Sequence, residues 1–177
     1  MFTDMTENLN KTKKLALCGL LTALALIFAY VEVLIPLSFA MPGIKLGLAN
    51  IVVVIALYTL GPAYGLFINA ARVLLSALLF GNMFSAMYSL AGCLLSFVIM
   101  LLLKKTGLFS LCGVSMAGGV FHNLGQLCVA AFAMQTSSVW YYYPVLLLAG
   151  MATGIGIGIV ASLVIEKLNA ASGSDGR

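Results

Sequence analysis

The sequence predicts an all-α, polytopic membrane protein with six transmembrane helices and both termini on the cytoplasmic side. Three observations carry this reading. Hydrophobic residues fill 63% of the 177 positions and charged residues only 8%, with a mean hydropathy of +1.14; a soluble domain carries roughly 25% charged residues. The apolar runs match the roughly 17 to 25 residues that a helix needs to cross a bilayer, and they lack the strict alternation of barrel strands. Finally, the basic residues cluster at alternate loops, as expected of cytoplasmic ones.

The first span is expected from Leu15 to about Ile35, ending at Pro36. A cleaved signal peptide would leave a soluble remainder, whereas here apolar stretches continue almost to the C-terminus, so this span is expected to be retained. The second is Ile44 to Leu60, closed by Gly61-Pro62; the third is Ala63 to Phe80, closed by Gly81-Asn82. The fourth runs from Phe84 to Leu103 and stops at Lys104-Lys105, the fifth from Ser110 to Met134, and the sixth from Pro144 to Ile165. Gly and Pro close these runs because Gly permits positive φ and Pro cannot extend a hydrogen-bonded ladder. The domain plan is a cytoplasmic segment over 1–14, a six-helix membrane domain over 15–166 and a flexible cytoplasmic tail over 167–177. No internal repeat is evident.

Lys11, Lys13 and Lys14 precede the first span, Lys104 and Lys105 divide the fourth from the fifth, and Lys167 follows the sixth; Lys45 alone falls in a loop of opposite side. Trp140, Tyr141, Tyr142 and Tyr143 then fall at the outer interface, where amphipathic rings prefer to sit. The net charge of +4 is thus mostly topology signal and requires no nucleic acid.

Arg72 lies halfway along the Pro62–Phe80 run, which has no other charge. An ionised side chain at that depth costs roughly 2.5 to 3.5 kcal/mol, so a polar partner, a water-filled cavity or an anionic ligand must compensate it. Other polar residues gather in the outer halves of the spans: Glu32, Lys45, Asn50, Asn69, Asn82, Ser85, Tyr88, Ser89, His122, Asn123 and Gln126. That distribution predicts a cavity open to the exterior, with little to line a pore across the membrane. Gly65, Asn69, Arg72 and Ser76 share one helical stripe, as do Ser85, Ser89, Gly92 and Ser96, and Ser115, Gly119, His122 and Gln126. The Ser and Gly positions are ordinary material for close helix packing, whereas Arg72 and the His122-Asn123-Gln126 cluster are better read as lining a cavity or ligand site. Glu32 is a counter-ion for Arg72 or for Lys45, and Lys45 either binds solute or snorkels to headgroups. A positive balance would favour an anionic or electron-rich ligand, with Tyr30, Tyr88 and Phe84 available either to stack on a ring or to pack.

Close-packing motifs mark the first and sixth spans. Gly19 and Ala23, Ala25 and Ala29, and the double GxxxG of Gly150, Gly154 and Gly158 admit a second helix, from this fold or from a partner. Ala16, Gly19 and Ala23 lie in the cytoplasmic half of the first span, where a partner subunit would dock.

No enzymatic chemistry is expected. The chain has five acidic residues, no two of them adjacent, so a paired-aspartate magnesium site cannot be built. His122 is the sole histidine and Cys18, Cys93, Cys112 and Cys128 are dispersed, so no metal site is expected and the cysteines read as small buried hydrophobes. There is no Walker A sequence. The expected list of cofactors is empty.

The strings KLGLANIVVVIALYTLG (Lys45 to Gly61), Arg72 through LLFGN to YSLAG, GVSMAGGVFHNLGQL (Gly113 to Leu127) and YYYPVLLLAG resemble the bacterial Gx transporter family, many of whose members carry the label heptaprenyl diphosphate synthase component I. The likeness extends from Lys13 to Lys167. That family is grouped with substrate-binding S components of energy-coupling factor (ECF) transporters, which implies an S-component-like six-helix bundle in the bacterial cytoplasmic membrane. The resemblance further implies capture of a vitamin-like solute from outside, partnership with a transmembrane T component and two ATPase subunits, and a flavin or quinone-related ligand. Docking to the T component through an AxxxA-type face of the first helix would here use Ala16, Gly19 and Ala23, although the literal AxxxA occurs at Ala25 and Ala29. The expected binding residues are Arg72, His122, Asn123, Gln126, Asn50, Lys45, Asn69, Glu32 and Tyr88. Two other readings stand beside this one: a non-catalytic membrane subunit of a polyprenyl diphosphate synthase, and a solitary secondary transporter.

Overall fold

The computed structural model describes residues 10–34, 47–81 and 83–174. Lys45 and Asn82 lie outside the described residues. The helices are α1 (Lys11–Leu34), α2 (Leu48–Thr59), α3 (Pro62–Phe80), α4 (Met83–Thr106), α5 (Leu111–Met134) and α6 (Tyr143–Ser174), with a 3-10 turn over Ser137–Tyr142 leading into α6. Among the described residues all regular structure is helical. Five helices are long and apolar enough to cross a membrane, and α2 is a shorter apolar one, which is the architecture of a polytopic membrane bundle. α6 extends past the expected end at Ile165, so the stretch read as a flexible tail from 167 onward is helical as far as Ser174.

The second span is the shortest. Of the run expected from Ile44 to Leu60, the described part forms a helix of 12 residues, about 18 Å long against a hydrocarbon core of about 30 Å. Ten of its residues are buried, among them Val52, Val53, Val54 and Leu57. α2 is therefore a core helix sheathed by α1, α3 and α6, and its near-continuous apolar sequence reflects contact with protein on every side.

A helix that stops inside a bundle leaves backbone N–H and C=O groups away from water, each needing a partner. Charges from two other helices meet both ends. At the start, where Gly47 turns the chain at φ 71° with no side-chain cap of its own, Leu48 N–H donates to Glu32 Oε1 of α1 at 2.6 Å. At the finish, Lys104 Nζ of α4 donates to Leu57 O at 2.6 Å and sits 4.6 Å from the Tyr58 ring centroid. The negative group is at the N-terminus and the positive group at the C-terminus, as the helix dipole favours. Lys104→Met is expected to lower unfolding stability by about 1 to 2 kcal/mol, whereas Lys105→Met, altering an exposed neighbour, should be nearly neutral; thermal unfolding in a non-ionic detergent compares them.

Glycines set the α5–α6 and α4–α5 seams. A Cβ on Gly154 would lie 2.7 Å from Met116 Cα, one on Gly158 2.7 Å from Cys112 Cα, and one on Gly150 2.8 Å from Gly119 O. The contact moves down α5 as it moves up α6, so the helices are antiparallel and nearly touch backbone to backbone. The double GxxxG is thus used inside the fold. Gly92 and Gly125 give the same closeness between α4 and α5. Lipid tails are as apolar as leucine, so this bundle depends on such close contact more than on withdrawal from water.

On α1, Ala25 and Ala29 are buried, so the literal AxxxA faces inward. Ala16, Gly19 and Ala23 are exposed, and a Cβ on Gly19 would meet nothing within 4 Å.

Candidate functional site

A cavity of about 310 Å³ lies among the six helices. Its walls come from the end of α1 (Ala29, Glu32, Val33), the start of α2 (Gly47, Asn50) and the second half of α3 (Arg72, Val73, Ser76, Ala77, Phe80, with Gly81 beyond). Ser85, Ser89 and Cys93 of α4, Gly119, His122 and Asn123 of α5, and Thr153 and Ile157 of α6 complete it. Val33, Gly47 and Gly81 are at or next to helix termini, so the cavity reaches one end of the bundle. The described lysines, Lys11, Lys13, Lys14, Lys104, Lys105 and Lys167, are at the other end.

Arg72 is 9% exposed and lines this space. Its Nη2 donates to Asn69 Oδ1 at 3.0 Å and to Cys93 Sγ at 2.9 Å, while Asn69 Nδ2 donates to Cys93 O at 3.2 Å. Asn69, one turn before Arg72 on the same stripe, thus ties α3 to α4 and aims the guanidinium. Both acceptors of Nη2 are neutral, and Arg72 Nε is buried with no partner. Among the described residues no carboxylate pairs with Arg72, and Glu32, expected as a counter-ion for Arg72 or for Lys45, caps α2. A buried cation without a counter-ion is the costly arrangement, and here it borders open volume.

The expected binding residues divide three ways. Arg72, Glu32, Asn50, His122 and Asn123 come together around the cavity, although Asn123 Nδ2 also donates to Leu146 O of α6 at 2.7 Å. Asn69 stands behind Arg72 and positions it. Gln126 and Tyr88 are not among the lining residues: Gln126, 1% exposed, is wedged in the α4–α5 seam, where a Cβ on Gly92 would lie 2.8 Å from its Cγ. Tyr88 stacks on Phe84 at 6.2 Å. Tyr30 packs on Phe80 at 5.5 Å, so Phe80 is the ring that faces the cavity, and the three aromatics proposed for stacking do not. The reason is azimuth, since one side of a helix within the outer half meets the cavity and the next meets a neighbour or lipid.

Sequence reasoning missed Cys93, Ser76 and Thr153 as lining residues, and it placed Ser85 and Ser89 in the outer polar set without counting them as binding residues. Ser76 shares the stripe of Arg72, and Ser85 and Ser89 share a stripe of their own, so their face was visible but read as packing. Cys93 read as a small buried hydrophobe, and nothing in its local sequence signals that its sulfur accepts from Arg72.

The family model described as heptaprenyl diphosphate synthase component I matches residues 21–164. The chain belongs to that family. No curated protein matches the chain, and neither does any solved structure. The segment matching heptaprenyl diphosphate synthase component I begins within α1 and ends within α6, so it contains every residue that lines the cavity. Among the described residues no group of three or more His, Cys, Asp or Glu side chains is arranged to hold a metal ion.

Proposed function

We propose that this chain is a non-enzymatic, ligand-binding membrane subunit that captures a small solute in the Arg72 cavity from outside the bacterial cytoplasmic membrane. In this reading it is the substrate-binding S component of an ECF-type uptake system. The observation that carries the proposal is a nine-tenths-buried guanidinium with no carboxylate partner among the described residues, bordering a cavity that reaches the end of the bundle remote from the described lysines. A volume of about 310 Å³ is within the range of small-molecule sites. The exposed face of Ala16, Gly19 and Ala23 is available for the T component, and two separate ATPase subunits would supply the energy. The sequence likeness favours a flavin or quinone-related solute.

The family description favours a second reading, a supporting membrane subunit of a polyprenyl diphosphate synthase. Affinity capture of the tagged chain from detergent-solubilised membranes separates the two. Recovery of a T component with two ATPases, together with a small molecule seen by mass spectrometry of the purified chain, is the expected result. Recovery of a prenyl synthase without them would replace it. Uptake into proteoliposomes holding this chain alone would instead point to a solitary secondary transporter.

A further inference from the structure

We infer that the cavity receives an organic anion headgroup first, a carboxylate or phosphate monoester on an apolar body, with the anionic group held at Arg72. This rests on the binding role proposed above and specifies the class of ligand.

Four features lead there. Among the described residues both hydrogen bonds of Arg72 use Nη2 and go to neutral acceptors, while the residue lines the cavity with no carboxylate paired to it. Asn50, whose side-chain amide can donate a hydrogen bond to an anion, lines the same cavity. The remaining wall is largely apolar, with Val33, Val73, Ala77, Phe80 and Ile157, which suits a hydrocarbon or aromatic body. Arg72 is nine residues before Gly81, about 13 Å deeper along α3, so a guest reaches it only by entering anion first.

A cation would face the Arg72 charge. A neutral guest would leave the guanidinium charge uncompensated. A water-soluble anion and a prenyl phosphate lipid present the same headgroup chemistry, and the test distinguishes them.

Isothermal titration of the full chain in non-ionic detergent would use 2-naphthoate, neutral 2-naphthamide and farnesyl diphosphate as probes. The expected result is 2-naphthoate binding at least about tenfold more tightly than 2-naphthamide. The preference should disappear in Arg72→Met, weaken in Arg72→Lys, which keeps the charge but not the planar fork, and binding should disappear in Ala77→Phe, which fills the cavity without touching Arg72. Tighter binding of farnesyl diphosphate than of 2-naphthoate, lost in Arg72→Met, would support the anionic headgroup and assign its source to a lipid. Equal affinity for the amide and the acid, or 2-naphthoate binding unchanged in Arg72→Met, overturns the inference. A neutral molecule that co-purifies, is lost in Ala77→Phe and is kept in Arg72→Met would overturn the anion class while leaving the capture role intact. No co-purified molecule and no heat from any probe overturns both.

Discussion

Gly154→Val is expected to destabilise the protein by roughly 3 kcal/mol, at the upper end of overpacking penalties. The Cβ alone would lie 2.7 Å from Met116 Cα and from Ser115 O, and backbone cannot rotate aside as a long side chain would. α6 must therefore move away from α5. Because α5 also packs on α4 at Gly92 and Gly125 and brings Gly119, His122 and Asn123 to the cavity, the same displacement should abolish ligand binding. Gly156 is the internal control: a Cβ there meets nothing within 4 Å, so Gly156→Val should stay within about 0.5 kcal/mol of the parent. Thermal unfolding monitored by size-exclusion in detergent compares the pair. Equal behaviour of the two variants would mean that α5 and α6 do not meet in the register described.

Arg72→Met should do the opposite of a usual core substitution, leaving the ligand-free protein as stable as the parent or more so while ligand affinity falls about a hundredfold or more. The guanidinium carries a burial penalty of roughly 2.5 to 3.5 kcal/mol near a span centre. Set against it are two hydrogen bonds, to Asn69 Oδ1 and Cys93 Sγ, worth about 1 kcal/mol each and more where an acceptor is left unsatisfied. The two sides nearly offset. If Arg72 were instead a structural tie, its removal would cost about 3 to 5 kcal/mol, as when one member of a buried pair is deleted. Melting temperature without ligand, measured beside affinity for 2-naphthoate, separates a charge retained for binding from one retained for folding.

Much of the fold is legible in the residues. Apolar run length and Gly, Pro and Lys punctuation place four of the six helices, and the start of α6, within a few residues, because a bilayer core fixes the length that a lipid-exposed helix needs. α2 escapes that rule. It is bounded by what caps it, and its caps are Glu32, 16 residues upstream of Leu48, and Lys104, 47 residues downstream of Leu57. Lys104 was legible as a topology signal, yet its bond to α2 was not. For the site, helical periodicity put Asn69, Arg72 and Ser76 on one inward stripe, and depth put His122 and Asn123 near them. Periodicity could not tell that Gln126, on the stripe of His122, turns into a helix seam, or that Cys93 reaches Arg72.

The sequence by itself determined the class of molecule, the rough positions of its long spans, the end of the bundle that carries the basic residues and the unusual burden of a mid-span arginine. These follow from solvent preference and helix period, which act residue by residue. Tertiary structure alone decided that Glu32 caps α2 while Arg72 is left with neutral partners, and that both border one open volume. The azimuth at which two helices meet is set by side chains far apart in the chain, where glycines let backbones approach and charged groups find the ends of a buried helix.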